Sequence, residues 1–83
     1  MNPQTDFANV QLRDAQQAVK EKQLAKAVRL YQEAGESLGK TFGKDDTRLL
    51  PVLGPLHQLL LEQGQNAHAL GVREWMRRIL KNS

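Results

Sequence analysis

Leu24-Ala25-Lys26-Ala27-Val28-Arg29-Leu30-Tyr31-Gln32-Glu33-Ala34 carries the clearest period in the chain. Leu24, Ala27, Val28, Tyr31, Ala34, Leu38 and Phe42 recur every three or four residues, the spacing of one face of an α-helix. Lys26, Arg29, Gln32, Glu33 and Glu36 lie off that stripe, and Leu30 widens it. The spacing predicts a helix from residue 23 to about 41. Gly35 and Gly39 each lower helix propensity by about 1 kcal/mol relative to Ala, which suits either a close-packed crossing or a fraying end.

Upstream, residues 5 to about 22 read as a first helix. Thr5 or Asp6 is placed to cap it, and Phe7, Ala8, Leu12, Ala15, Ala18 and Val19 form its apolar stripe. Downstream, Phe42-Gly43-Lys44-Asp45-Asp46-Thr47 is a break and a restart. Gly43 suits a left-handed helix end, and Asp45, Asp46 or Thr47 suits the next N-cap, where negative charge also favours the helix dipole. A third helix is expected over residues 47–63. Leu49, Leu50, Leu53, Leu56, Leu59, Leu60 and Leu61 make it the most apolar segment, and Pro51 and Pro55 predict a delayed start or a kink. After a turn at residues 63–66, a fourth helix is expected from 67 to about 80. Ala69, Leu70, Val72, Met76, Ile79 and Leu80 are its inner candidates. No segment shows strand alternation, so the fold class is all-α: four antiparallel helices forming two tandem helix–turn–helix repeats, a short α-solenoid.

The repeat shows when the chain is shifted by 42 residues on itself. Thr5 then falls on Thr47, Val10 on Val52, Gln16 on Gln58, Gln23 on Gln65, Ala25 on Ala67 and Ala27 on Ala69. Apolar character is kept at Val28/Leu70, Leu30/Val72, Ala34/Met76 and Leu38/Leu80. The register stays in phase over both helices and the turn between them.

The stretch from Leu24 to Ala34, with Phe42-Gly43-Lys44-Asp45-Asp46-Thr47 after it, resembles the tetratricopeptide repeat in the longer form of kinesin light chain. Ala27, Tyr31 and Ala34 stand at that family's small–aromatic–small positions, and Asp46-Thr47 replaces the His-Pro of its linker. Leu56, Leu60, Gln63-Gly64 and Ala69 fit the pattern in the second unit. Lys22 at the first turn's usual glycine, His57 at a small-residue position, Arg73 opposite Tyr31 and the two prolines depart from it. The Leu24–Ala34 stretch also resembles the microtubule-interacting-and-trafficking domain, a three-helix bundle; the fourth helix and the 42-residue echo favour the tetratricopeptide resemblance. That resemblance implies one domain over residues 1–83, with units at about 5–43 and 47–81. It also implies a partner-binding groove along the first helix of each unit: Asn9, Leu12, Arg13, Gln16 and Lys20, then Gln58, Leu61 and Glu62. The Lys–Asn grip that some relatives use on a C-terminal carboxylate is absent.

Composition narrows the function. At 83 residues, 40% hydrophobic and 25% charged, the chain suits one small globular domain. With no cysteine it has no disulfide scaffold, thiolate metal site or cysteine nucleophile. The polar start Met1-Asn2-Pro3-Gln4-Thr5-Asp6 lacks the regions of a signal peptide; a cytoplasmic location and no membrane partner are expected. Net charge is +3 with no block of five like charges, which gives nucleic-acid binding little support.

No pattern of catalytic or cofactor-binding residues emerges. His57 and His68 fall on different predicted helices without a ligand spacing, and Asp45 and Asp46 sit where capping explains them. Ser37 and Thr41 have no local His–Asp partners, and no glycine-rich phosphate loop is present. The expectation is a non-enzyme without cofactor or metal. Trp75 overlays Glu33 in the repeat, so it either closes the end of the core or anchors a partner; Trp and Arg are common anchors. Arg73, Arg77 and Arg78 flank it, with Glu74–Arg78 pairing at i,i+4 or docking of an acidic peptide as their two readings. Two repeats leave end faces uncovered. Self-association through the terminal helices is therefore expected, with Trp75, Ile79 and Leu80 in the contact. Three functions follow: an adaptor or scaffold holding a peptide or partner helix; a self-assembling structural module without peptide ligand; and nucleic-acid or ribosome binding through the basic last helix, at Arg73, Arg77, Arg78 and Lys81.

Overall fold

A computed structural model describes residues 3–82, with side chains from Phe7 onward. Four α-helices follow one another: α1 (Pro3–Lys20), α2 (Leu24–Phe42), α3 (Leu50–Glu62) and α4 (Asn66–Asn82), with a 3-10 turn at Thr47–Leu49 before α3. No strand occurs among the described residues. The chain is all-α, built as two antiparallel hairpins. α1 packs on α2, α3 on α4, and α2 against α3 joins the halves. The Cα atoms span 31 × 28 × 13 Å, a slab two helices thick.

α1 starts at Pro3, earlier than expected, because the fixed φ of proline suits a first helical position. Thr5 and Asp6, the expected caps, therefore fall inside its first turn; their side chains lie outside the described residues. The two hairpin turns are close copies. Lys22 N–H donates to Val19 C=O and Gln23 N–H to Ala18 C=O, while Gly64 N–H donates to Leu61 C=O and Gln65 N–H to Leu60 C=O, all at 2.8–3.0 Å. Every one of these atoms moves to its counterpart by the 42-residue shift. This is the pair of hydrogen bonds that closes a helix through a left-handed residue, and φ is +60° at Lys22 and +74° at Gly64.

The break between the halves is tied down at several points. Gly43 has φ +101° and ψ 150°, extended in the half of backbone space open to glycine rather than left-handed helical, and its N–H bonds to Gly39 C=O. Asp46 is the cap that forms, its Oδ1 accepting from Arg48 N–H at 2.8 Å. The Arg48 guanidinium lies over the Phe42 ring at 4.1 Å. The start of α3 is delayed: the 3-10 turn takes up Thr47–Leu49 before regular helix begins. Pro51 falls in the first turn of α3 and Pro55 inside it, both exposed.

Ala8, Ala15 and Ala18 of α1 and Ala27 and Ala34 of α2 are all buried, and side chains this small let the two backbones approach closely. The second half fills its space with larger groups: Leu49, Val52, Leu53, Leu56, Leu59, Leu60, Val72 and Ile79. Several positions expected inside are not. Phe7, Val19, Leu70 and Leu80 are exposed. α1 and α4 each pack chiefly on one neighbour, so only part of each apolar stripe is covered.

Candidate functional site

α1 and α3 flank one broad face of the slab, and a cleft of about 330 Å³ opens between them. Gln16, Val19 and Lys20 line it from α1, and Pro55, Gln58, Leu59 and Glu62 from α3. Tyr31 of α2 lies at its floor. Amides and opposite charges alternate over an apolar base, which offers hydrogen bonds to an extended backbone or a helix edge together with apolar contact. Four of the eight groove residues expected from the sequence meet here: Gln16, Lys20, Gln58 and Glu62. Asn9, Arg13 and Leu61 are exposed but do not line it, and Leu12 is half-buried against the core. Val19, Pro55, Leu59 and Tyr31 are lining residues the sequence had given to other roles.

The opposite face, between α2 and α4, carries a larger hollow of about 530 Å³ lined by Gly35, Glu36, Gly39, Lys40, Lys44, Trp75 and Arg78. It continues along the helices into a second pocket of about 290 Å³, whose apolar base is formed by the buried side chains of Tyr31, Leu53, Leu56 and Val72. Gln32 Nε2 and His68 Nε2 lie 3.1 Å apart across it.

Trp75 is half-buried and packs on the core. Its indole N–H donates to the Lys44 carbonyl, which pins α4 to the linker. Arg78 reaches the same linker, its Nε 3.4 Å from Asp45 Oδ1. The pairing expected between Glu74 and Arg78 does not form: Arg77 takes Glu74 at 3.7 Å, and Arg78 goes to Asp45. Ile79 is a further correction. It is fully buried in the core and has no surface to give to self-association. Leu80, its neighbour, is 60% exposed, and Arg73 is exposed as well.

No protein-family model, curated protein or solved structure matches this chain. Among the described residues, no group of three or more His, Asp or Glu side chains is placed to hold a metal ion, and no helix is long and apolar enough to cross a membrane. His57 is half-buried and His68 exposed, on different helices. Burial pushes the Tyr31 hydroxyl above the ordinary tyrosine range. One polar side chain went unnoticed in the sequence. Gln11 is only 5% exposed, donating through Nε2 to Glu33 Oε2 at 2.7 Å. Its Oε1 is buried without a partner. The signal was there, since Gln11 is in phase with Ala8, Ala15 and Ala18.

Proposed function

We propose that this chain is a protein–protein interaction module of tetratricopeptide-like hairpins, an adaptor or scaffold that works by binding rather than catalysis in a cytoplasmic setting. Its ligand is a peptide or a partner helix laid between α1 and α3. The observation that carries the reading is the cleft over Tyr31, where Gln16, Lys20, Gln58 and Glu62 stand around an apolar floor. Selection from a displayed random-peptide library should enrich sequences that compete with one another and lose affinity for Gln58→Trp, which fills the cleft from an exposed position. Equal binding to wild type and Gln58→Trp would remove this site.

Self-association is the second reading, favoured by the large exposed apolar side chains Phe7, Val10, Leu70 and Leu80. Sedimentation equilibrium should then show a concentration-dependent dimer that Leu70→Glu with Leu80→Glu dissolves. A wild-type monomer throughout would dismiss it.

A further inference from the structure

The glycines of α2 and α4 have no packing reason to be glycine. A Cβ on Gly35 would sit 3.6 Å from Val52 Cγ1, one on Gly39 would sit 3.7 Å from Lys44 Cγ, and one on Gly71 would meet nothing within 4 Å. All are ordinary or open distances, and none of the three has a positive φ. Alanine would fit each and hold the helix better. Gly54 is equally open and lies elsewhere, but these three line one feature, the hollow between α2 and α4. Their missing side chains keep its walls low.

Charge and shape together say what the hollow suits. Lys40, Lys44 and Arg78 rim its larger part, against Glu36. An adjoining depression adds Arg77 and Lys81, against Glu74. Counting Asp45, which pairs with Arg78, five cations face three carboxylates, so most of the chain's +3 excess lies around this opening. The floor beneath is apolar, with Leu53, Leu56 and Val72. Trp75 stands at the junction of the two parts, held by its bond to the Lys44 carbonyl, so its ring is oriented before anything binds.

We propose that the hollow between α2 and α4 is a second docking site, for an acidic peptide segment that lays one apolar side chain against Trp75 and its carboxylates on Lys40, Lys44 and Arg78. It lies on the opposite face from the α1/α3 cleft and does not depend on it. Discrete peptide carboxylates suit this rim better than a continuous phosphate chain, because Glu36, Asp45 and Glu74 interrupt the cations and would repel an unbroken run of negative charge. An apolar centre inside a polar rim is also the anatomy of a protein contact.

The probes are two peptide arrays, each holding a single Leu, Ile, Met or Phe, flanked in one by Asp and Glu and in the other by Asn and Gln. A twelve-nucleotide oligouridine is the third probe. The acidic array should yield binders that the neutral array does not, with affinity falling as salt screens the pairs. Binding should drop at least tenfold in Lys40→Glu and in Lys44→Glu, and be lost in Gly71→Leu. Arg29→Glu, an equal charge reversal on an exposed part of α2 away from the hollow, should keep it. Should Gly71→Leu fail to fold, the two exposed lysine reversals still decide the matter. Four results would overturn the proposal: no binder, equal binding from the neutral array, insensitivity to the lysine reversals, or the oligouridine binding where peptides do not. Peptides that lose affinity only for Gln58→Trp belong to the first cleft and count against this one.

Discussion

Lys22 holds a backbone conformation that its own side chain disfavours. A left-handed conformation costs an ordinary residue about 1–2 kcal/mol, and Gly64 occupies the equivalent turn at φ +74° without that cost. Lys22→Gly should therefore stabilise the fold by up to about 1 kcal/mol, after the greater chain freedom of glycine when unfolded is subtracted. Gly64→Ala should destabilise it by about 1 kcal/mol. Urea denaturation followed by circular dichroism measures both, and the same sign for the pair would contradict the geometry. Tyr31 gives a prediction in pH. Burial raises its folded pKa above the ordinary value of 10.0, so the unfolded chain loses the proton first as pH rises. Stability from this group is thus whole below about pH 10 and declines above it. Tyr31→Phe should lose less stability than wild type between neutral pH and pH 11. At this scale the sequence was partly readable. Lys22 departs from the glycine usual at that turn, whereas Gln11, although in phase with the buried alanines, is of a polar type that periodicity alone assigns to the surface.

The helices themselves were legible, since type and order follow from period, and each observed helix end falls within about three residues of the predicted one. What could not be read was how much of each apolar stripe would be covered. Phe7 and Val19 on α1 and Leu70 and Leu80 on α4 keep perfect helical phase, yet they are exposed because each terminal helix has little beyond its hairpin mate to meet. Ion-pair choice was equally hidden: Arg78 prefers Asp45, 33 residues away, to Glu74 one turn back. The glycines supply a prediction for the elements. Gly71→Ala should raise stability by about 0.5–1 kcal/mol, the helix-propensity difference with no steric penalty, read as a higher melting temperature. A fall in stability would mean that the open space around Gly71 is needed by the fold itself.

For the whole molecule, 83 residues imply a net stability on the order of 4–12 kcal/mol. Leu53 is fully buried where α3 supports both α2 and the hollow. Leu53→Ala should cost about 2–5 kcal/mol, a large share of that total, read as a lower urea midpoint by circular dichroism. The tandem architecture was visible in the 42-residue echo, and the two turns reproduce it bond for bond. The clefts were visible only in part. The groove residues followed from the tetratricopeptide resemblance, which implies ligands along the first helix of each unit, but the opposite hollow depends on open space beside glycines, which the sequence does not show.

The bond between Trp75 and the linker also makes the protein its own optical gauge. Since the chain has a single tryptophan, all of its indole emission comes from that seam. Prising α4 from the linker would shift the emission to longer wavelength as water reaches the ring, and an occupied hollow would shift it the other way. The two events can thus be distinguished in unlabelled protein by colour alone.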